Sequence, residues 1–178
     1  MSDTTPLPAV DERFGDKGAP ATTWDTVRAA LDDAELYWLT TVRPNGQPHV
    51  TPLIGLWRNG AMHFATGPEE QKARNINGNP RVAVTTGANA WAAGLDVVVE
   101  GAATRVTDTV ELQAVADAIQ AKYGDVWTFT VGGAGDIFGD VDNPAYLFRV
   151  HPDKVLAFGK DPHTQTAFRF SRPTVAGV

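Results

Sequence analysis

The chain has 178 residues, of which 43% are hydrophobic and 20% are charged; this balance is typical of one ordinary globular domain rather than of a disordered chain. The formal net charge is −6, which argues against a nucleic-acid or anionic-membrane surface, because such surfaces need clustered Lys and Arg. There is no cysteine, so disulfides, thiolate metal sites and a cysteine nucleophile are excluded. No apolar run reaches the roughly 20 residues that span a bilayer, and no basic segment precedes an apolar one at the N-terminus, so we expect a cytoplasmic protein.

The first part of the chain predicts an extended arm followed by a helix. Residues 1–23 are rich in Pro, Asp, Gly and Thr and show little apolar periodicity, so we expect an N-terminal arm with Phe14 as its candidate anchor. An amphipathic helix is predicted over 24–34, because its apolar residues recur on one face. Thr22 or Thr23 is the expected N-cap.

Two Asn-Gly pairs divide the following segment, 36–66, into three predicted strands. Asn45-Gly46 and Asn59-Gly60 each lie between apolar, β-rich runs. An Asn-Gly pair favours a type I′ turn, because both central residues of that turn need φ > 0. We therefore expect two successive β-hairpins.

The second of these predicted strands is interrupted by Pro52 and Gly55. A proline within a strand indicates an edge or a bulge, and a glycine indicates the close approach of another group. Two explanations remain open for the glycine, a bound ligand and a barrel corner.

A short helix is predicted after the third strand. Thr66, with Glu69 three residues later, matches a capping box and so predicts the start of the helix. Gly78 and Pro80 predict its end, because glycine is common just past a helix and proline cannot continue one.

Lys72 and Arg74 lie near the start of this helix, where side chains and backbone N–H groups together can bind an anion. Glu69 and Glu70 lie at the same end and would repel a phosphate. On the residues alone, a solvated helix in which Lys72 pairs with a glutamate is the favoured interpretation, and anion binding is the alternative.

A long strand and a second amphipathic helix are predicted in the C-terminal half. The strand covers 95–107, with Gly101 as its expected bulge. The helix covers 108–123, because its apolar residues share one face. Asp108 is the expected N-cap and Gly124 the expected stop.

The sequence contains no recognisable catalytic or metal-binding motif. Its four histidines are widely separated, so we predict no metal site. No G-x-S-x-G, P-loop or Rossmann fingerprint is present, and no carboxylate pair suggests general acid–base catalysis, so no catalytic residue is assigned. An enzyme of this kind would take its chemistry from a cofactor.

The chain resembles the flavin-binding split β-barrel superfamily that includes pyridoxamine 5′-phosphate oxidase. The motifs that carry the resemblance are L-T-T-V-R-P-N-G-Q-P-H-V-T-P-L, M-H-F-A-T-G, K-A-R-N-I-N-G-N-P-R-V-A-V and V-V-V-E-G-A-A-T-R-V-T. The later segments F-R-V-H-P-D-K-V-L-A-F-G-K and T-Q-T-A-F-R-F are similar to the actinobacterial type of the flavin/deazaflavin oxidoreductases, in their B branch.

The resemblance implies a mainly β fold with flanking helices, in the form of a six-stranded split β-barrel. It also implies a homodimer with its cofactor grooves at the subunit interface. We accordingly expect the arm at 1–23, the barrel domain at 24–171 and a C-terminal tail at 172–178. The implied partners are a second copy of the chain and a small-molecule substrate, without nucleic acid or membrane.

The resemblance further implies coenzyme F-420 as the cofactor, or else FMN. Lys72 matches the phosphate-binding lysine of the family, whereas Glu70 and Gln71 stand where the family commonly has a second basic residue. The residues assigned to the cofactor in this way are Val50, Thr51, Pro52, Leu53, Ile54, Thr66, Lys72 and Arg74. The candidates for lining a substrate pocket are Trp57, Trp91 and Tyr37.

Three functions are compatible with these features. The first is an oxidoreductase that transfers a hydride between F-420 or FMN and a small organic substrate. The second is a protein on the same barrel that binds a cofactor or tetrapyrrole without turnover. The third is a dimeric scaffold without a ligand.

Overall fold

The structure is a computed structural model that describes residues 6–132, 138–139 and 143–170, so the predicted tail at 172–178 lies outside it. Three helices and eleven strands lie within the described residues. The helices are α1 (Trp24–Asp33), α2 (Gln71–Gly78) and α3 (Thr109–Tyr123), and a 3-10 turn covers Glu12–Phe14. The strands are β1 (Pro8–Val10), β2 (Tyr37–Val42), β3 (Pro48–Leu53), β4 (Leu56–Arg58), β5 (Ala61–Thr66), β6 (Arg81–Gly87), β7 (Leu95–Arg105), β8 (Thr130–Val131), β9 (Phe138–Gly139), β10 (Pro144–Lys160) and β11 (His163–Arg169). None of the described helices has the length and apolar character needed to cross a membrane.

The strands form an antiparallel sheet centred on β10, the longest strand. β10 pairs along one side with β7, and along the other side with β5 and then β11. From β7 the sheet continues through β6 and β2 to β3, which is the last strand of this path. The result is the predicted mainly β architecture with flanking helices.

The predicted second strand is broken into two strands at Gly55. β3 ends at Leu53 and pairs with β2, whereas β4 begins at Leu56 and pairs with β5. A Cβ atom at Gly55 would lie 2.5 Å from the Cε atom of Met62 and 3.1 Å from the Cδ2 atom of Tyr37. Of the two explanations for this glycine, the barrel corner is therefore the one that the structure supports.

The corner is fixed by the hydroxyl group of Tyr123, at the end of α3. This hydroxyl accepts a hydrogen bond from the Gly55 N–H at 3.2 Å. Two carbonyl oxygens can accept its proton, that of Gly55 at 2.8 Å and that of Glu35 at 3.0 Å. The chain direction after β3 thus depends on a side chain that is distant in sequence.

The two Asn-Gly turns differ. Asn59 and Gly60 have φ values of 52° and 72°, so the predicted type I′ turn is confirmed there. In the first hairpin only Gly46 has a positive φ, of 83°, and the Arg43 N–H donates to the Gln47 carbonyl at 2.9 Å. This hairpin therefore has a three-residue loop, in which one left-handed glycine is sufficient.

The predicted caps of α1 and α3 are confirmed. The Thr23 hydroxyl accepts a hydrogen bond from the Thr26 N–H at 3.2 Å, and the Asp108 carboxylate accepts one from the Glu111 N–H at 2.8 Å. Gly124 follows α3 with a φ of 76°, a backbone conformation that glycine adopts without a steric cost.

The N-terminal arm is held by backbone pairing. β1 adds to the sheet beside β11, and the Thr22 N–H donates to the Thr166 hydroxyl at 3.1 Å. Phe14 is 57% exposed, so the prediction that it anchors the arm is wrong.

Gly101 lies opposite a bulge rather than in one. β7 is continuous, and the register shifts on its partner β10, between Pro152 and Lys154. A Cβ atom at Gly101 would lie 2.3 Å from the carbonyl oxygen of His151. The predicted bulge is therefore on the wrong strand, and the glycine is required because the backbone of β10 approaches so closely.

α3 covers the outer side of β4, β5 and β10, where an ion pair lies beside a buried histidine. Arg149 donates through one guanidinium nitrogen to both carboxylate oxygens of Glu111, at 2.7 and 2.8 Å. The Nε2 atom of His63 lies 3.6 Å from the same carboxylate. Burial lowers the pKa of His63, and the opposing effect of Glu111 does not compensate for it.

The approach of β10 to Gly101 predicts a large loss of stability for Gly101→Ala. A methyl group there overlaps a backbone atom that cannot rotate away, so we expect a loss of about 1–3 kcal/mol or more in the free energy of unfolding. Denaturant unfolding provides the measurement. The control is Gly78→Ala, where no atom lies within 4 Å of the added Cβ. Similar behaviour of the two variants would contradict this account.

The buried His63 predicts that stability falls as the pH falls. Because the pKa of His63 is lower in the folded protein, the unfolded chain binds more protons as the pH falls below about 6.5. We expect the wild type to lose up to about 1.4 kcal/mol per pH unit more than His63→Gln between pH 7.5 and 5.5. Thermal unfolding at several pH values tests this, with the exposed His163→Gln as control. Equal pH slopes for His63→Gln and the wild type would refute the role of His63.

Candidate functional site

β3 is an edge strand that presents a single backbone donor. The Arg43 N–H donates to the Gln47 carbonyl, and the register with β2 continues without a shift to the end of β3. Since successive residues of a strand direct their N–H and C=O groups to opposite sides, Pro48, Val50 and Pro52 face away from β2. The two prolines have no N–H. Within β3, the Val50 N–H is therefore the only backbone donor on the free edge.

A large pocket adjoins the outer face of the sheet next to β3. Its volume is about 980 Å³, and aromatic side chains of three different segments line it, namely Trp38, Trp91 and Phe158. Trp38 is the register partner of Pro52, so Pro52 of β3 is the neighbour of a residue that lines the pocket. Trp91 is 95% exposed, which leaves its ring free to contact a ligand or a partner.

Lys160 holds the loop that carries Trp91. Its ammonium group donates to the carbonyl oxygens of Ala88 and Ala90 and lies 3.0 Å from a carboxylate oxygen of Asp96. The positive charge of Lys160 is therefore compensated by Asp96 and by two carbonyl oxygens of the loop. The pocket presents mainly aromatic and small side chains.

On the opposite face of β2 and β3, α2 packs against β2 through buried polar groups. The Asn75 side-chain amide donates to the Thr41 hydroxyl at 2.9 Å, and the Gln71 amide donates to Asn75 at 2.8 Å. The Thr51 hydroxyl is buried and has no hydrogen-bond partner among the described residues. An unsatisfied buried hydroxyl is costly, so Thr51 is a candidate for contact with a bound group.

The start of α2 is organised by the Glu70 carboxylate. One oxygen accepts a hydrogen bond from the Gly67 N–H at 2.7 Å, and the other pairs with the ammonium group of Lys72. The Lys72 side chain is only 12% exposed. Partial burial raises the pKa of Glu70, but hydrogen bonds from Lys72, Gly67 and Thr66 outweigh this effect and lower the pKa overall.

The predicted capping box at this helix is wrong. α2 begins at Gln71 rather than directly after Thr66, and its N-cap residue makes no side-chain hydrogen bond to the helix. Glu69 instead pairs with Arg74 at 2.7 Å, and both side chains are largely exposed. The favoured interpretation of the sequence, that Lys72 pairs with a glutamate, agrees with the structure.

The structure distributes the predicted site residues over two faces of β3. Val50 and Pro52 are exposed, and Pro52 is the register partner of the pocket residue Trp38, whereas Thr51 lies on the opposite face, which α2 contacts at Thr41. Leu53 and Ile54 are half-buried and pack against the apolar cores. Thr66 is buried, at the end of β5.

The two other aromatic candidates do not lie in the pocket. Trp57 is 6% exposed and packs edge-on against Trp24, with ring centroids 6.1 Å apart. Tyr37 is fully buried and donates to the Leu31 carbonyl. Their assignment to the pocket is corrected, because both rings are needed in the core.

Trp38, Phe158 and Lys160 are among the pocket residues that the sequence does not assign to the site. Trp38 was detectable, because it alternates with the buried Tyr37 and Leu39 along β2 and so faces outward. Phe158 and Lys160 lie near the end of β10. No local pattern predicts that the end of β10 lies near Trp91, because that proximity comes from long-range pairing of β10 with β7.

Comparisons with known proteins agree with this architecture. Residues 23–158 match the family profile described as pyridoxamine 5′-phosphate oxidase. The chain matches none of the curated proteins with which it was compared.

Three solved structures illustrate the similarity of fold. A conserved hypothetical protein from Mycobacterium tuberculosis is 20% identical, with a TM-score of 0.65 over 88% of this chain and 95% of that one. An FAD-binding protein from Mesorhizobium loti is 19% identical, with a TM-score of 0.58 over 91% and 98%. An F-420 reductase is 21% identical, with a TM-score of 0.51 over 72% and 94%. At these identities the likeness shows the fold alone.

The profile match covers more than half of the chain, and the solved structures share its fold. The protein therefore belongs to the pyridoxamine 5′-phosphate oxidase family of split β-barrels.

Proposed function

We propose that the protein is an oxidoreductase that binds a flavin-type cofactor along the free edge of β3. Coenzyme F-420 is the first choice and FMN the second. The observation that carries this proposal is the single N–H that Val50 presents on the free edge of β3, between two prolines. A large aromatic pocket is lined by Trp38, the register partner of Pro52. The names of two structural neighbours, an FAD-binding protein and an F-420 reductase, support a flavin-type cofactor.

The free edge of β3 fits the edge of a flavin or deazaflavin ring. The pyrimidine part of such a ring presents one N–H between two carbonyl groups. Val50 offers the complementary pair, an N–H that donates and a C=O that accepts. The neighbouring prolines leave no further N–H donor on this edge, so a ring bound here has its register fixed by one residue.

The residues at the start of α2 would hold the phosphate of the cofactor. Lys72 is the partly buried cation of this region, and the Thr66 hydroxyl and the Gly67 N–H lie beside it around the same carboxylate. The unsatisfied hydroxyl of Thr51 lies on the side of β3 that faces α2. These groups can donate to phosphate or ribityl oxygens.

The pocket would hold the substrate next to the ring. Trp38, Trp91 and Phe158 offer flat apolar surfaces that can position a planar organic molecule and exclude water from it. The bound cofactor would supply the hydride. The role of the chain is to bind and orient both partners.

We also propose a homodimer, because a row of residues that is apolar except for one threonine, called the apolar row below, crosses the outer face of the sheet. Register neighbours from β3 to β1 are, in order, Pro52, Trp38, Thr85, Val98, Leu156, Ala167 and Ala9. All of them are at least partly exposed in the single chain. A second copy of the chain would bury this row and complete the walls of the pocket.

The second candidate function is binding of a cofactor or tetrapyrrole without turnover. It is favoured by one observation, that Lys72 and Arg74 are both neutralised by glutamates, which is consistent with weak retention of a phosphorylated cofactor. Reduction and reoxidation of the bound cofactor in the presence of substrates would distinguish an enzyme from this binding protein.

The role of Val50 predicts that Val50→Pro weakens cofactor binding. The substitution removes the one donor of the free edge but no hydrogen bond of the sheet, and prolines already occupy the two equivalent positions. We expect F-420 to bind about tenfold more weakly, the effect of one lost hydrogen bond. Val50→Ala, which keeps the N–H, is the matched control. Unchanged affinity of Val50→Pro with an unchanged melting temperature would refute the proposed edge.

The apolar row predicts a dimer that one charge can disrupt. Sedimentation at micromolar concentration should show a dimer for the wild type and a monomer for Trp38→Arg, because an unpaired charge in an apolar interface is strongly unfavourable. Val110→Arg introduces the same charge at an exposed position of α3 and should remain dimeric. A monomeric wild type that still binds cofactor would contradict a shared groove.

A further inference from the structure

We propose that Glu70 is a specificity residue that selects a cofactor with a singly charged phosphodiester against one with a terminal phosphate dianion. This inference rests on the proposed function, because it concerns the phosphate end of the same site. It goes further, because it assigns to one residue of this chain the difference in affinity between F-420 and FMN.

The position of Glu70 supports this role. Its carboxylate accepts a hydrogen bond from the Gly67 N–H with one oxygen and pairs with the Lys72 ammonium group through the other. These are the donors that would otherwise surround a phosphate. The protein thus carries its own anion at the place where the ligand's anion would bind.

The local charges are balanced before any ligand arrives. The segment 66–78 contains two glutamates, Lys72 and Arg74 as its only charged residues. Glu70 pairs with Lys72 and Glu69 pairs with Arg74, so neither cation carries an uncompensated charge. Because Lys72 is only 12% exposed, solvent screens the nearby charges less than it does at an open surface.

The phosphate groups of the two cofactors differ in charge. The phosphate of FMN is a terminal monoester, which carries a charge of about −1.5 to −2 at pH 7. The phosphate of F-420 is a diester and carries a single negative charge. A segment whose charged residues are already paired therefore repels the phosphate of FMN more strongly than the phosphate of F-420, and the carboxylate that repels it is that of Glu70.

Glu70→Gln provides the direct test, with FMN and riboflavin as ligands at pH 7.5. Riboflavin has the ring and side chain of FMN but no phosphate. We expect the variant to bind FMN about tenfold more tightly than the wild type, because Lys72 becomes free to pair with the phosphate. Riboflavin affinity should not change. Glutamine retains an oxygen for the Gly67 N–H and Glu70 is half exposed, so the fold should be maintained, which thermal unfolding checks.

Two further variants make the interpretation specific. Glu69→Gln removes the same charge one residue away, where the partner Arg74 is exposed, and should change FMN affinity by less than about twofold, since exposed pairs contribute little. The double variant Glu70→Gln with Lys72→Gln should lose the gain in FMN affinity. An equal gain in Glu69→Gln, or a gain that persists without Lys72, would overturn the proposal.

The result also separates this inference from the proposed function. If F-420 or riboflavin binds but Glu70→Gln leaves FMN affinity unchanged, the role of Glu70 is refuted and the proposed function stands. If F-420, FMN and riboflavin all fail to bind both the wild type and Glu70→Gln, the proposed function fails and the role of Glu70 fails with it.

Discussion

The break in the sheet at Gly55 is the constraint on which the candidate site depends. The chain leaves β3 at a corner too tight for a side chain, and the Tyr123 hydroxyl binds the backbone of that corner. β4 then pairs elsewhere, with β5. As a result β3 pairs on one side with β2 and presents its other edge. Without the corner, the same residues would continue as one strand.

The free edge of β3 limits pairing with other strands and presents one donor to a ligand. The unpaired N–H and C=O groups of a strand edge can pair with another chain, and prolines are one of the means by which proteins prevent such pairing. Here Pro48 and Pro52 remove two donors and leave the Val50 N–H between them. An edge with a single donor is poor for adding a strand but sufficient for one edge of a flat ring. Stability against aggregation and ligand recognition are therefore served by the same three residues.

Most of the local structure was predictable from the sequence, whereas the assembly of the site was not. The caps at Thr23 and Asp108 and the turn at Asn59 follow from short-range chemistry. Two incorrect predictions, the capping box after Thr66 and the bulge at Gly101, have one cause, because local pattern alone does not determine either feature. In the structure, Glu70 is recruited by Gly67 and Lys72, and Gly101 accommodates a bulge in another strand. Long-range pairing also places Trp91 near Phe158 and keeps Trp57 in the core.

The most direct test of the central claim is a fluorescence titration of the purified, cofactor-free protein with F-420 and with FMN. The free edge of β3 can bind the ring, and Glu70 already neutralises Lys72 at the proposed phosphate site. We therefore predict micromolar or tighter binding of F-420 and much weaker binding of FMN. Binding of neither cofactor would contradict the account, since the edge of β3 and the pocket beside it would then have another purpose.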